Sequence, residues 1–233
     1  MDNGMAKICR LHLAVLLLAT AIPNFAACYA QSIKVISKID EYRNKALHDS
    51  SYKMVELKSI MPLIVYDLRY ATKNNFTGQK LYKKGNKTFL RSEAADALRQ
   101  VQTELLKNDL NIKIFDAYRP YAATKLMWEL VKDERYVANP AKGSGHNRGL
   151  AIDLTIIDNI SGKELDMGTG FDNFTDTAHQ TFTQLPVEIL NNRKILKQAM
   201  EKAGFIALET EWWHFYWPNN KSYDVLDIDF KRF

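Results

Sequence analysis

Residues 142–157 read Lys-Gly-Ser-Gly-His-Asn-Arg-Gly-Leu-Ala-Ile-Asp-Leu-Thr-Ile-Ile, a glycine-rich loop that runs directly into an apolar stretch. The second half is short, aliphatic and bounded by glycine, which predicts a strand buried on both faces. Asp153 stands inside it. A carboxylate in such a run is costly to desolvate unless a cation or several donors meet it, so the fold that buries this strand must also bring Asp153 a partner.

Upstream of it, residues 111–115 alternate as a second strand, and Pro120 suits the first turn of a helix running to about residue 133. That places Asp116-Ala117-Tyr118-Arg119 at a strand-to-helix junction. Residues 91–107 carry Ala94, Ala97, Leu98, Val101, Leu105 and Leu106 at helical spacing, with Ser92 as the expected N-cap. Residues 63–66 predict a strand followed by the turn-rich 73–78. Downstream, 158–186 is loop-rich, 191–202 predicts a third helix closed by Gly204, and 205–208 and 212–217 read as closing strands. Residues 31–61 are charged and weakly helical, an N-terminal extension packed on the domain. Strands and helices mix without a regular βαβ repeat, so the expected fold is α+β, a single domain with a mostly antiparallel sheet flanked by helices.

The whole chain has 233 residues, 46% hydrophobic and 25% charged, with 10 Gly and 6 Pro, which excludes disordered and collagen-like classes. Within residues 1–30, Lys7 and Arg10 precede an apolar run of about a dozen residues that ends at Pro23 and small residues. This is the layout of a secretion signal, too short for the ~20 residues of a spanning helix. The expected protein is therefore exported, periplasmic or in the cell envelope, with 31–233 as the mature domain and cleavage after Ala30. Cys28, preceded by two alanines, offers a lipid anchor as the alternative. Removing Lys7, Arg10 and Asp2 takes the net charge from +5 to +4, and no dense basic run marks a nucleic-acid groove. Both cysteines, Cys9 and Cys28, precede residue 31, so neither a thiol nucleophile nor a zinc–thiolate site is available to the mature domain.

Histidine and carboxylate remain as metal ligands. His146 and Asp153 would lie about 23 Å apart along a straight strand and about 10 Å apart along a helix, too far in either case to share an ion. The chain must turn at Asn147-Arg148-Gly149 and fold His146 back over Asp153. His214, flanked by Trp213 and Phe215, is a second imidazole embedded in an apolar strand. Two imidazoles and one carboxylate with an open fourth position suit a hydrolytic zinc site on the sheet, one ion per chain. Glu211, three residues before His214, suits a general base one water away. Arg119 suits stabilisation of an oxyanion. Taken singly, each of these has an ordinary structural reading: a core histidine, a carboxylate held by backbone amides, a salt bridge between Arg119 and Asp116. A serine hydrolase built on Ser144, His146 and Asp153 lacks the nucleophile elbow.

Ser144-x-His146-x-x-Gly149-x-Ala151-x-Asp153 followed by Glu211-x-x-His214 resembles the paired signature of zinc D,D-peptidases. Further segments resemble the D-alanyl-D-alanine dipeptidases, the group that includes the vancomycin-resistance enzymes: Tyr70-Ala71-Thr72-x-Asn74-Asn75-Phe76-x-Gly78, Asp116-x-Tyr118-Arg119-Pro120, Met167-Gly168-x-x-Phe171-Asp172 and Glu211-Trp212-Trp213-His214. The resemblance covers about residues 56–217 in collinear order. It implies His146, Asp153 and His214 as zinc ligands, Glu211 as acid and base, Arg119 as transition-state stabiliser, and Ser144, Asp172 and Tyr70 as substrate-holding positions, with Asp172 on the free amino group. The implied substrate is a small D,D-dipeptide. The export signal departs from the best-known members, which act in the cytoplasm, and favours as an alternative a D,D-carboxypeptidase trimming peptidoglycan stems, against which Asp172 argues. A third reading, a cell-wall-binding protein that keeps the fold without turnover, has against it that no catalytic position is lost.

Overall fold

The computed structural model describes residues 33–83 and 86–233; the expected signal over 1–30, its cleavage point and Cys28 lie outside the described residues. The N-terminal segment supplies regular structure to the domain. Strand β1 (Val35–Ile36) leads into helix α1 (Ile39–His48), strand β2 (Met54–Glu56) and the single turn α2 (Leu57–Ile60), before strand β3 (Val65–Tyr66) enters the main sheet. Strand β4 (Phe89–Arg91) pairs antiparallel with β2. Helix α3 (Ser92–Leu106) follows with no loop between them. Its cap differs from expectation: Arg91 is the N-cap and no side chain caps the helix. Ser92 is the first helical residue: its amide donates to the Lys53 carbonyl beside the β2–β4 ribbon, and its hydroxyl donates to the Ser50 carbonyl at 3.3 Å.

Strand β5 (Leu110–Asp116), helix α4 (Tyr121–Leu130), the turn α5 (Gly145–Arg148) and strand β6 (Ala151–Asp158) make the centre of the molecule. Helix α4 stops three residues short of the predicted end. Val131 turns extended there, and it packs with Met127, Val137 and Tyr136 beside Tyr70. Helix α6 (Val187–Lys202) begins four residues before the predicted start, directly after Pro186, whose fixed φ suits a helix entry. Strands β7 (Ile206–Ala207) and β8 (His214–Tyr216) are shorter than predicted, and β9 (Val225–Leu226) lies parallel to β1, forming a separate two-stranded sheet with it.

The sheet order is β3-β5-β6-β8-β7. The β5–β6, β6–β8 and β8–β7 pairings are antiparallel and only β3–β5 is parallel, so the sheet is mostly antiparallel. Strand β6 runs through its middle with Ala151 to Ile157 all buried. Side chains alternate along it. Ile152, Leu154 and Ile156 face the main core with Ala94, Leu98 and Val101 of α3 and Leu196 and Met200 of α6. Burying each such aliphatic side chain contributes about 1.5–3 kcal/mol. Asp153 therefore points to the opposite face. Among the described residues no helix is long and apolar enough to cross a membrane.

Residues 142–149, predicted as a loop, contain a formed helical turn. Ser144 caps it: its Oγ accepts from the His146 amide at 3.2 Å, and Asn147 Oδ1 accepts from the Ser144 amide at 3.0 Å. This reciprocal capping box satisfies two otherwise orphaned donors. Gly149 ends the turn at φ +70°, a left-handed conformation that favours glycine. Gly145 is held for a different reason, since a Cβ there would lie 2.9 Å from the Cβ of Ala151. The turn is thereby folded back onto the start of β6, the reversal that His146 requires.

Candidate metal centre and active site

Sheet register sets the first part of the site. Asp153 is the direct cross-strand partner of His214 on β8 and of Asp116 on β5, so three polar residues form a row across the sheet on the face away from α3 and α6. The α5 turn then lowers His146 onto the row. Asn147, fully buried, ties the turn to the β5–α4 junction by donating to the Arg119 carbonyl and to Thr124 Oγ1, both at 2.8 Å. The Arg119 amide donates to the His146 carbonyl at 3.2 Å.

His146 Nδ1 lies 2.7 Å from the Ala117 carbonyl. A carbonyl only accepts, so Nδ1 carries the hydrogen and Nε2 presents its lone pair to the cluster. That Nε2 is 3.3 Å from His214 Nδ1 and 3.4 Å from Asp153 Oδ2, and His214 Nδ1 is 2.8 Å from Asp153 Oδ1. One ligand atom from each of the three residues falls within 4.8 Å of the others, a group able to hold a metal ion. Ligands bonded at about 2.0–2.1 Å around a tetrahedral ion stand about 3.3 Å apart, close to the spacing between the two imidazole nitrogens. The donor set, two imidazoles and a carboxylate, therefore fits a zinc ion in chemistry and in spacing.

The surrounding charges are tightly balanced. Burial opposes ionisation of Asp153, but the two imidazoles outweigh it and hold its carboxyl below the usual range. For His214 burial opposes the charge, while the hydrogen bond and the charge of Asp153 raise its pKa above the ordinary value. Arg119 donates from Nε to Asp116 Oδ2 at 2.7 Å, approaches Asp153 Oδ2 at 3.6 Å and lies over the Tyr70 ring at 4.7 Å. The salt bridge of Arg119 with Asp116 is present and leaves the rest of the group available: one edge of the guanidinium is anchored and another faces Asp153. Asp116 is itself held by Tyr82, whose hydroxyl donates to Oδ1 at 2.7 Å. Sequence reasoning missed Tyr82, which sits in an irregular segment with no periodicity to single it out.

Glu211 lies just before β8, with Oε2 3.8 Å from His214 Nδ1. Burial pushes its carboxyl up to about 8. Asp172 adopts φ +61°, unusual for a non-glycine residue. Its carboxylate accepts from the Tyr70 hydroxyl at 2.7 Å and from the Phe76 amide at 3.3 Å, and burial raises it to about 7. Tyr70 thus bridges the two halves of the site, with its ring under Arg119 and its hydroxyl on Asp172.

All eight residues singled out in the sequence, Ser144 included, line a single cavity of about 220 Å³. That is smaller than the ~300–1,000 Å³ of ordinary ligand pockets and suits a ligand of two small residues.

The model of the Peptidase M15 family, described as D-ala-D-ala dipeptidase, matches residues 50–232. This extends beyond the predicted 56–217 at both ends and takes in β2 and β9. The D-alanyl-D-alanine dipeptidase of Escherichia coli strain K12 is 36% identical over 181 residues, covering 78% of this chain and 93% of that protein. The D-alanyl-D-alanine dipeptidase of Enterococcus faecalis strain V583 is 31% identical, covering 64% of this chain and 84% of that protein. That of Streptomyces coelicolor is 28% identical, with 65% and 85% covered. The motifs that carry the cavity, the fold that assembles them and the extent of these matches agree: the chain belongs to the M15 peptidase family of D-alanyl-D-alanine dipeptidases.

Proposed function

We propose that this protein is a zinc-dependent dipeptidase that hydrolyses D-alanyl-D-alanine to two D-alanines, using one zinc ion held by His146, Asp153 and His214. The observation that carries the proposal is the sharing of one small cavity by this metal-ligand cluster and by the buried carboxylate of Asp172. A bound zinc ion supplies a Lewis acid for the scissile carbonyl and lowers the pKa of water. Glu211 takes the proton of the attacking water and returns it to the nitrogen of the leaving amine. A carboxyl raised towards neutrality is suited to moving a proton in both directions. Arg119, held in place by Asp116 and Tyr70, presents its charge to the oxyanion. Ser144 and Tyr70 position the substrate, and Asp172 pairs with its free ammonium. An acylated amine would leave that carboxylate without its counter-charge, which disfavours longer peptides.

Purified protein loaded with zinc is expected to release D-alanine from D-Ala-D-Ala, to lose this activity on chelation and to regain it with zinc. N-acetyl-D-Ala-D-Ala is expected to be cleaved at least a hundredfold less efficiently. Faster cleavage of the acylated substrate would reassign the protein as a D,D-carboxypeptidase.

The role of Asp172 has a pH signature. Its carboxyl titrates near 7 in the free site, and the substrate α-amino group, with a pKa of about 7.7–8.0, stays charged below that. The ionised carboxylate binds the ammonium, so affinity for an uncleavable dipeptide with a free amine falls as the pH drops through 7, by up to tenfold per unit. Calorimetry at pH 5.5 to 7.5 should show this slope in the wild type and a flatter one in Asp172→Asn. Equal slopes in the two proteins would remove Asp172 from the amine site.

A further inference from the structure

Three aromatic side chains in the same cavity have no part in the chemistry above. Phe76 comes from the segment after β3, Tyr136 from the connection between α4 and α5, and Phe174 from the loop after β6, and all three are half-buried cavity-lining residues. They touch one another across these separate segments. Phe174 stacks on Tyr136 with centroids 4.7 Å apart and an interplanar angle of 30°, and it meets Phe76 edge-on at 5.2 Å. Phe76 in turn meets Tyr70 edge-on at 6.2 Å.

Two of the segments that carry the rings are tied to Asp172. Phe76 donates its own amide to that carboxylate, and Phe174 follows it by two residues. The connection carrying Tyr136 is clipped by Glu134, which receives Asn139 Nδ2 at 2.9 Å and pairs with Lys142.

We infer that Phe76, Tyr136 and Phe174 form an aromatic gate that closes the cavity beside Asp172 and limits the substrate to a dipeptide by occupying the space that any group attached to its amine would need. The inference rests on the dipeptidase reading and deepens it. Asp172 rejects an acylated amine through charge, and the gate rejects it through space. These two contributions are separable because they belong to different side chains.

The test compares kcat/KM for N-acetyl-D-Ala-D-Ala and D-Ala-D-Ala in zinc-loaded wild type, Phe174→Ala, Tyr136→Ala and Tyr136→Phe, each also in an Asp172→Asn background. Removing a ring is expected to raise the ratio of acylated to free substrate at least tenfold, and further when Asp172→Asn is added. Tyr136→Phe keeps the stacked ring and should keep the wild-type ratio within twofold. Tyr136→Ala reports the same quantity should Phe174→Ala fail to fold, as judged by its melting curve. A ratio unchanged in Tyr136→Ala, with and without Asp172→Asn, overturns the gate and leaves charge alone as the discriminator. A wild type that does not cleave D-Ala-D-Ala removes the dipeptidase reading and the gate with it.

Discussion

Glu211→Gln is expected to lower kcat on D-Ala-D-Ala by about 10²–10⁴-fold while the protein still binds one zinc per chain. The amide keeps the size of the side chain but cannot accept the water proton. The carboxylate lies 3.8 Å from His214 and outside the cluster of ligand atoms, so the metal should stay. A stability effect of opposite sign accompanies the loss. The folded pKa of Glu211 is raised to about 8, above its unfolded value, so the stability it contributes is present at acid pH and is lost as the pH rises through 8. The metal-free variant, with no charge to bury, should therefore melt higher than the metal-free wild type at pH 8 and match it near pH 4. Zinc content, steady-state kinetics and melting curves at the two pH values check all three points. Wild-type turnover in the variant would sink the assignment of Glu211 as the base.

Asp153→Asn should remove both metal and activity, with zinc affinity reduced by at least a hundredfold and turnover by 10³-fold or more. Its carboxylate serves His146, His214 and Arg119 together, and an amide supplies neither the charge nor both acceptor oxygens. Breaking a buried charge network by removing one partner typically costs 3–5 kcal/mol. The folded pKa of Asp153 is depressed, so its contribution to the metal-free protein is present above the ordinary carboxylate range and lost as the pH falls below it. The variant should accordingly be destabilised at pH 7 and approach the wild type in strong acid. Metal titration and denaturant unfolding report the two effects independently. A variant that binds zinc as tightly as the wild type would exclude Asp153 from the ligand set.

Much of this site is legible in the chain because its chemistry breaks local patterns. Asp153 interrupts an aliphatic run, His214 sits among aromatics, and Asp116-x-Tyr118-Arg119-Pro120 marks a strand-to-helix junction. Gly145 and Gly149 flank the reversal that His146 and Asp153 need in order to share one ion. Boundaries are less legible. Helix α4 ends early because Val131 joins the cluster beside Tyr70, and α3 begins one residue earlier than expected, with the amide and hydroxyl of Ser92 bonded to the carbonyls of Lys53 and Ser50 about 40 residues back along the chain. In both places a distant partner overrides local propensity.

The sequence by itself singled out the residues that come to share the cavity, the order in which they occur, the mixed fold and the need for a turn between His146 and Asp153. These follow from side-chain type and spacing, which are local properties. Tertiary structure alone decided that Asp153 faces His214 and Asp116 across the sheet, that Tyr82 supports Asp116, that Tyr70 links Arg119 to Asp172, and that three separate segments bring their rings together in the same cavity. Alternation along a strand assigns a side chain to a face. Its neighbour on that face depends on strand order and register, which are fixed by core packing between segments far apart in the chain.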